Sequence, residues 1–242
     1  MNTQTESAEL VTELHDGVLV VRFMGQAFSD AVDLVRKNRI FSFMEEIERR
    51  DDAKVVIYDM DLAQMDKDSY MQFFSKHAAS VYTNRFCNMI IQLAELLARS
   101  SKFTIHLSHG SLVTAFLSLS MYSDYRMASE ETVFCNAYRE LNATPLGGLP
   151  YFLGGRLGRG KAYELLLLQE EISAAQAMEL GLVDRLVPAA DRVQQAIDLG
   201  KRFAALGANT LSGVKQLVTR SLTGLTEYLE FEKKLFVKHF CV

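Results

Sequence analysis

Imidazoles, carboxylates and thiols are the side chains best able to hold a metal ion or move a proton, and here several of them fall in the middle of the chain. His106 and His109 lie three residues apart, with Asp66 and His77 upstream. No two of them have a recognised ligand spacing, so no metal is expected and the histidines read as structural. Cys87, Cys135 and Cys241 are an odd number with no CxxC spacing, which indicates neither a disulfide framework nor a zinc site. Glu140 stands two residues from Tyr138. On an extended segment the two would share one side, giving a carboxylate base next to a phenol that is mostly an acid at neutral pH. The plainer reading of Glu140, next to Arg139, is a solvated surface residue.

The elements that position these groups follow from hydrophobic period. LVTELHDGVLVVRF alternates apolar and polar residues around Asp16-Gly17, a dipeptide suited to a tight hairpin. Residues 29–50 carry apolar side chains at mainly three- and four-residue spacings behind Ser29, predicting one helix capped by that serine. KVVIY, from Lys54 to Tyr58, predicts a buried strand, DMDLAQMDKD an acidic loop, and Thr83 to Arg99 a helix. Phe103 to Ser108 predicts a strand, Ser111 to Tyr122 a helix, and Asp124 to Ala128 with Thr132 to Asn136 two short strands. From Gly158 the period is helical almost throughout, interrupted once by the strand-like LVDRLVP. Aromatic and methionine residues at helical spacing, among them Phe73, Phe74, Phe86, Met89 and Phe236, read as core or subunit contacts.

Composition narrows the function classes. The 242 residues are 49% hydrophobic and 23% charged, with a net charge of -4, which supplies no cationic excess for a phosphate backbone. Nucleic acid is excluded as an expected partner. No apolar run approaches the roughly 18 residues that a membrane span needs, and the first residues show no basic flank with an apolar segment behind it. A cytoplasmic location without a membrane partner is the expectation.

Three stretches resemble the enoyl-CoA hydratase/isomerase, or crotonase, family, over roughly Val11 to Phe240. GRGKAYELLLLQEEISAAQAMELGLVDRLVP is similar to the family's signature segment, in which a helix and a turn lead through "isaaqA…GLVd.vvp" to the last strand. ATPLGGLPYFLGGRLG is similar to its Gly-rich turn and helix. SKFTIHLSHGSLVTAFLSLSMYSDYRMAS is similar to its strand, turn, helix and "cDlriA" strand, with Asp124, Arg126 and Ala128 in register. The resemblance implies an α/β fold of stacked ββα turns in a spiral over residues 1–157. A helical trimerisation region over residues 158–242 completes the same functional unit, and an acyl thioester, on CoA or on an acyl carrier protein, binds between the two.

The family's chemistry also requires an oxyanion hole, because an enolate forms at the thioester carbonyl and must be met by fixed backbone donors. Counting along the matching loops brings the two donors to Asp66 and Ala115. The family's glycine runs "fsaGaDl" and "GGG" are replaced by AQMDKDSY and TAF, so Cβ atoms narrow the approach. The positions of the two catalytic glutamates hold Ser118 and Tyr138, neither of which can activate water, so ordinary hydration is not expected. VFCNAYRELNATPLGG is similar to polyketide-pathway members that lack both glutamates and decarboxylate carrier-bound thioesters with a lysine and a C-terminal-helix histidine. That similarity makes Lys67 and His239 candidates. Read plainly, Lys67 is a loop cation and His239 a surface residue. MGQAFSDAVDL replaces the family's Asn-Pro and lysine-bearing segment for CoA, which suits a carrier-borne substrate. The resemblance therefore implies an enolate-stabilising protein, as decarboxylase or isomerase, working without a cofactor as a homotrimer or dimer of trimers. The alternative is a non-catalytic crotonase-fold partner or scaffold subunit.

Overall fold

The computed structural model describes residues 4–6, 10–24, 26–61, 65–78, 80–219 and 224–240, apart from the side chains of 4–6, 27, 239 and 240. After β1 (Gln4–Glu6), β2 (Leu10–His15) and β3 (Val18–Phe23) form the expected hairpin. Its two turn residues take the left-handed conformation, Asp16 at φ 49° and Gly17 at φ 84°.

Next come α1 (Ala27–Val32) and α2 (Leu34–Glu48), where the period predicted a single helix. Asp33 divides them: its extended backbone ends α1, and its side chain accepts from the Val35 and Arg36 amides as N-cap of α2. Asp33, rather than Ser29, is thus the cap of the long helix. Beyond β4 (Val55–Met60) the chain forms α3 (Lys67–His77), which takes in the last two residues of the expected acidic loop and a stretch that the period left unassigned, then α4 (Val81–Arg99). β5 (Phe103–Ser108) is followed by β6 (Ser111–Val113) and α5 (Thr114–Ser120), so the first residues of the predicted 111–122 helix are a strand. The β-branched Val113 and an external partner decide this, as the Val113 amide bonds Met65 O at 2.8 Å. β7 (Tyr125–Ser129) and β8 (Val133–Cys135) fall where two short strands were expected.

The second half contributes α6 (Leu149–Leu157), α7 (Arg159–Tyr163) running into a π turn at Glu164–Leu168, β9 (Glu171–Ser173) and α8 (Ala174–Glu179). β10 (Arg185–Val187), α9 (Arg192–Ala204), α10 (Ala208–Thr219) and α11 (Leu225–Phe240) follow.

Among the described residues one sheet has the order β1-β2-β3-β4-β5-β7-β10, with β3 through β10 parallel, and a second runs β6-β8-β9. Every residue of β4 is buried, as a parallel strand covered on both faces should be. On one face Val18, Val55, Ile57 and Ile105 pack under α9; on the other Leu19, Val21, Val56 and Tyr58 join the main core. Gly200 brings α9 close, since a Cβ there would lie 2.9 Å from Val18 Cγ1. The aromatic residues at helical spacing are core: Phe74, Phe86 and Phe236 are buried, with the Phe74 and Phe236 rings 5.8 Å apart.

Candidate active site

The starts of two helices, α3 and α5, are tied to one another. The Met65–Val113 hydrogen bond ties the segment entering α3 to the segment entering α5, which brings Asp66 and Ala115 onto neighbouring turns. Asp66 caps α3, its carboxylate accepting from the Ser69 amide at 2.9 Å and the Ser69 hydroxyl at 3.0 Å. The carboxylate thus engages its own helix. Although partial burial opposes it, the Ser69 contacts leave its pKa below the ordinary range. Ala115 lies in the first turn of α5, where backbone amides have no partner within the helix.

Little room remains at that turn. The void bounded by Ala115, Val113, Tyr70, Tyr138 and Leu146 measures about 10 Å³, enough for one water-sized group. Ser118 is fully buried and its Oγ donates to Thr114 O at 2.8 Å. Gly147, at φ 88°, packs on it so closely that a Cβ on Gly147 would lie 2.8 Å from Ser118 Cβ. Tyr138 sits in a 3-10 turn, Ala137–Arg139, and its hydroxyl donates to Leu166 O at 2.6 Å in the π turn. Burial raises its pKa, so the phenol stays protonated and committed to that carbonyl.

The 3-10 turn also corrects the expected side-sharing of Tyr138 and Glu140, which required an extended segment. Glu140 instead forms an ion pair with Lys67 at the first residue of α3. That hydrogen bond raises the pKa of Lys67 and keeps it cationic. The pair borders an open pocket of about 160 Å³, with Asn136, Arg139, Glu170 and Glu171 around it. Ala137 lines both this pocket and the small void. The side chain of His239 lies outside the described residues, so its pairing with Lys67 stays an expectation from the resemblance. His106 is buried among β-strand neighbours, and burial, then the nearby Arg126 charge, lowers its pKa to about 3. His109 Nδ1 meets Ser129 Oγ at 2.9 Å.

One functional group went unread in the sequence. The Glu232 carboxylate, buried within α11, accepts from Gly147 N at 2.7 Å and from Gly148 N at 3.0 and 3.1 Å. Both glycines have positive φ, an arrangement that points successive amides at one anion. Burial pushes Glu232 up to about 8, against the lowering effect of those amides. The signal was available: Leu229, Glu232 and Phe236 fall on one helical face, and a glutamate on an apolar stripe needs a partner. Tyr122 closes the turn by donating to Gly147 O at 2.9 Å. A Cβ on Gly148 would overlap the Tyr122 hydroxyl. Gly148→Ala is therefore expected to cost about 3 kcal/mol, read as a lowered urea midpoint at unchanged m.

Comparison with known proteins agrees with this architecture. The family model described as enoyl-CoA hydratase/isomerase matches residues 77–242. A probable mitochondrial enoyl-CoA hydratase of Dictyostelium discoideum is 31% identical over 124 residues, 50% of this chain and 44% of that protein. A trans-2-decenoyl-[acyl-carrier-protein] isomerase of Streptococcus mutans is 24% identical, covering 62% of this chain and 58% of that protein. The chain thus spans about half the length of the curated relatives it matches. The crystal structure of an enoyl-CoA hydratase/isomerase from Xanthobacter autotrophicus Py2 superposes with a TM-score of 0.78 at 19% identity, over 97% of this chain and 87% of that one. With a family model covering well over half of its residues and the spiral fold in common, this chain belongs to the enoyl-CoA hydratase/isomerase family.

Proposed function

We propose that this protein takes a short acyl thioester, on CoA or on an acyl carrier protein, at the pocket beside Lys67, and that it does not hydrate it. The observation that carries this reading is the wall shared at Ala137. A thioester lying in the polar pocket would direct its carbonyl past that residue to the first turn of α5, where the amide of Ala115 is a candidate oxyanion donor and that of Asp66 stands on the neighbouring turn. A void of about 10 Å³ admits a group no larger than a methyl, so a thioester whose carbonyl reaches its edge carries a short acyl chain. An α-carboxylated acyl group would leave its carboxylate in the polar pocket, competing with Glu140, Glu170 and Glu171 for Lys67 and Arg139.

Of the family's enolate reactions, decarboxylation suits these residues best, because it needs no base. The Cα–carboxylate bond breaks, carbon dioxide leaves, and the electron pair becomes the enolate held by the backbone amides. One proton then returns to Cα, with the Lys67 ammonium as donor and solvent restoring it. Isomerisation would require a carboxylate base: Ser118 and Tyr138 offer none, and Glu140 is held in its ion pair with Lys67.

The exposed apolar side chains of Tyr163, Leu167 and Leu168 support a homotrimer. Light scattering is expected to give three times the 27.3 kDa chain, or six times for a dimer of trimers. A monomer would count against assembly. The second reading, a non-catalytic partner subunit, is favoured by one observation: Glu232 already fills the Gly147–Gly148 amides next to Ser118.

Calorimetric titration separates the readings. Malonyl and acetyl thioesters, as CoA esters and on a carrier protein, are expected to bind, whereas octanoyl-CoA does not. Lys67→Met should weaken the malonyl ester about tenfold and leave the acetyl ester unchanged. Binding of octanoyl-CoA as tightly as acetyl-CoA would contradict the narrowed site, and no binding of any thioester would leave the partner-subunit reading.

A further inference from the structure

A larger cavity lies away from the Lys67 pocket. It measures about 380 Å³, and its lining combines the charged residues Asp124, Arg126 and Arg156 with the apolar Phe152, Phe203 and Leu211. This is the size of a small-molecule site, and its walls are mainly apolar. Phe103 and Phe203 form a tilted aromatic pair in the wall, with ring centroids 4.2 Å apart. Tyr122 and Phe152 meet edge to face at 5.1 Å.

The charges around the cavity do not balance. Lys215 is consumed by Asp124, with Nζ 2.6 Å from Oδ2, and by the Lys102 carbonyl. Arg126 is buried and bonds Asp184 at 2.6 Å. Arg156 donates to a neutral acceptor, Gly181 O at 3.1 Å, and forms no carboxylate ion pair among the described residues. Three cations thus face two carboxylates, and the Arg156 charge is left over. Much of Arg156 remains exposed, yet partial enclosure, then the adjacent Arg126 guanidinium, hold its pKa below the ordinary arginine value. A negative group placed there would relieve the repulsion between the two guanidiniums and accept charge-assisted hydrogen bonds.

We infer that the cavity between α6, α9 and α10 is a second binding site, for a small amphipathic anion, a carboxylate on an aromatic or branched apolar body. Arg156 holds the anionic end, and Phe152, Phe203 and Leu211 receive the body. Nothing in the proposed thioester chemistry uses these residues, so the site stands or falls by itself. Its mouth is edged by Val214 and Leu206, exposed apolar residues of the kind that a bound ligand, or a second copy of this chain, would cover.

The probe is 4-phenylbutyrate, titrated calorimetrically against the full chain, with 4-phenylbutanol as its uncharged counterpart. A dissociation constant on the order of 0.1–1 mM is expected for a ligand of this size. The alcohol should bind at least tenfold more weakly, as should the acid to Arg156→Gln, because each removes one charge-assisted contact. Val214→Trp, which fills the mouth without touching the core, should abolish binding. Acetyl-CoA titrations should be the same in both variants as in the parent. Equal binding of acid and alcohol, no loss in Arg156→Gln, or no heat up to about 10 mM phenylbutyrate would overturn the inference. So would a Val214→Trp variant that disassembles in light scattering, since the mouth would then be an interface between copies.

Discussion

Glu232→Ala is expected to be the most damaging single truncation in the C-terminal helix, lowering stability by about 3 kcal/mol at pH 6. The substitution leaves the Gly147 and Gly148 amides buried without an acceptor, and an orphaned buried donor costs its full desolvation. It also leaves a space where the buried carboxylate stood. The pH dependence distinguishes this from simple cavity formation. Folding raises the Glu232 pKa from its ordinary 4.5 to about 8, so between those values the folded state holds a proton that the unfolded state releases. Stability from this group is therefore complete below about pH 4.5 and is lost as pH rises through about 8, a change on the order of 5 kcal/mol. The parent should weaken across that window in urea titrations. Glu232→Gln should show a flatter profile, and so should Glu232→Ala, whose deficit relative to the parent shrinks as pH rises. Parallel profiles for parent and both variants would mean that the carboxylate does not titrate as its burial implies.

Restoring glutamate at both family positions, Ser118→Glu with Tyr138→Glu, is expected to yield no hydration of crotonyl-CoA. In a conventional site each such group would supply about 10²–10⁴ in rate. Here Ser118 is fully buried against Gly147, so a glutamate side chain there meets backbone instead of substrate. Removing Tyr138 also frees Leu166 O, whose hydroxyl partner it is. Overpacking and an unpaired buried charge together should cost about 4 kcal/mol, visible as a depressed melting temperature in each single variant. Measurable hydration by the double variant, or a Ser118→Glu protein as stable as the parent, would show that the acyl space opens more widely than the packing around Gly147 allows.

What could be read from the sequence divides along the range of the forces involved. The β2–β3 hairpin was legible because Asp16-Gly17 fixes its geometry within two residues, and β4 because a run of buried apolar residues leaves few alternatives. The break at Asp33 and the strand at Ser111–Val113 were missed, since each depends on a specific hydrogen bond: one local to an aspartate side chain, the other to Met65 at a distance in sequence. α3 was left unassigned apart from the helical spacing of Phe73 and Phe74, because its charged first residues continue the acidic loop and its apolar stripe, Tyr70, Phe73 and Phe74, begins only at its fourth residue. In the candidate site, the resemblance brought Ser118, Tyr138, Asp66 and Ala115 to attention and led to the expectation of a narrowed approach, but not to the contacts that fill the space between them. That filling is tertiary: Gly147 against Ser118, Tyr138 against Leu166, and Glu232 reaching two glycines from a helix 85 residues away.

The reach of Glu232 back to Gly147 also bears on how the chain acquires its structure in time. A turn built from two left-handed glycines has little intrinsic preference for one conformation, and here its amides find their acceptor only when α11 docks. Closing so long a loop precedes any gain from the contact, which slows assembly relative to the local β2–β3 hairpin. The sheet can therefore mature while the Gly147–Gly148 segment remains exchangeable. In pulsed hydrogen exchange during refolding, the Val56 and Ile57 amides should gain protection first and the Gly147 and Gly148 amides last, together with those of α11.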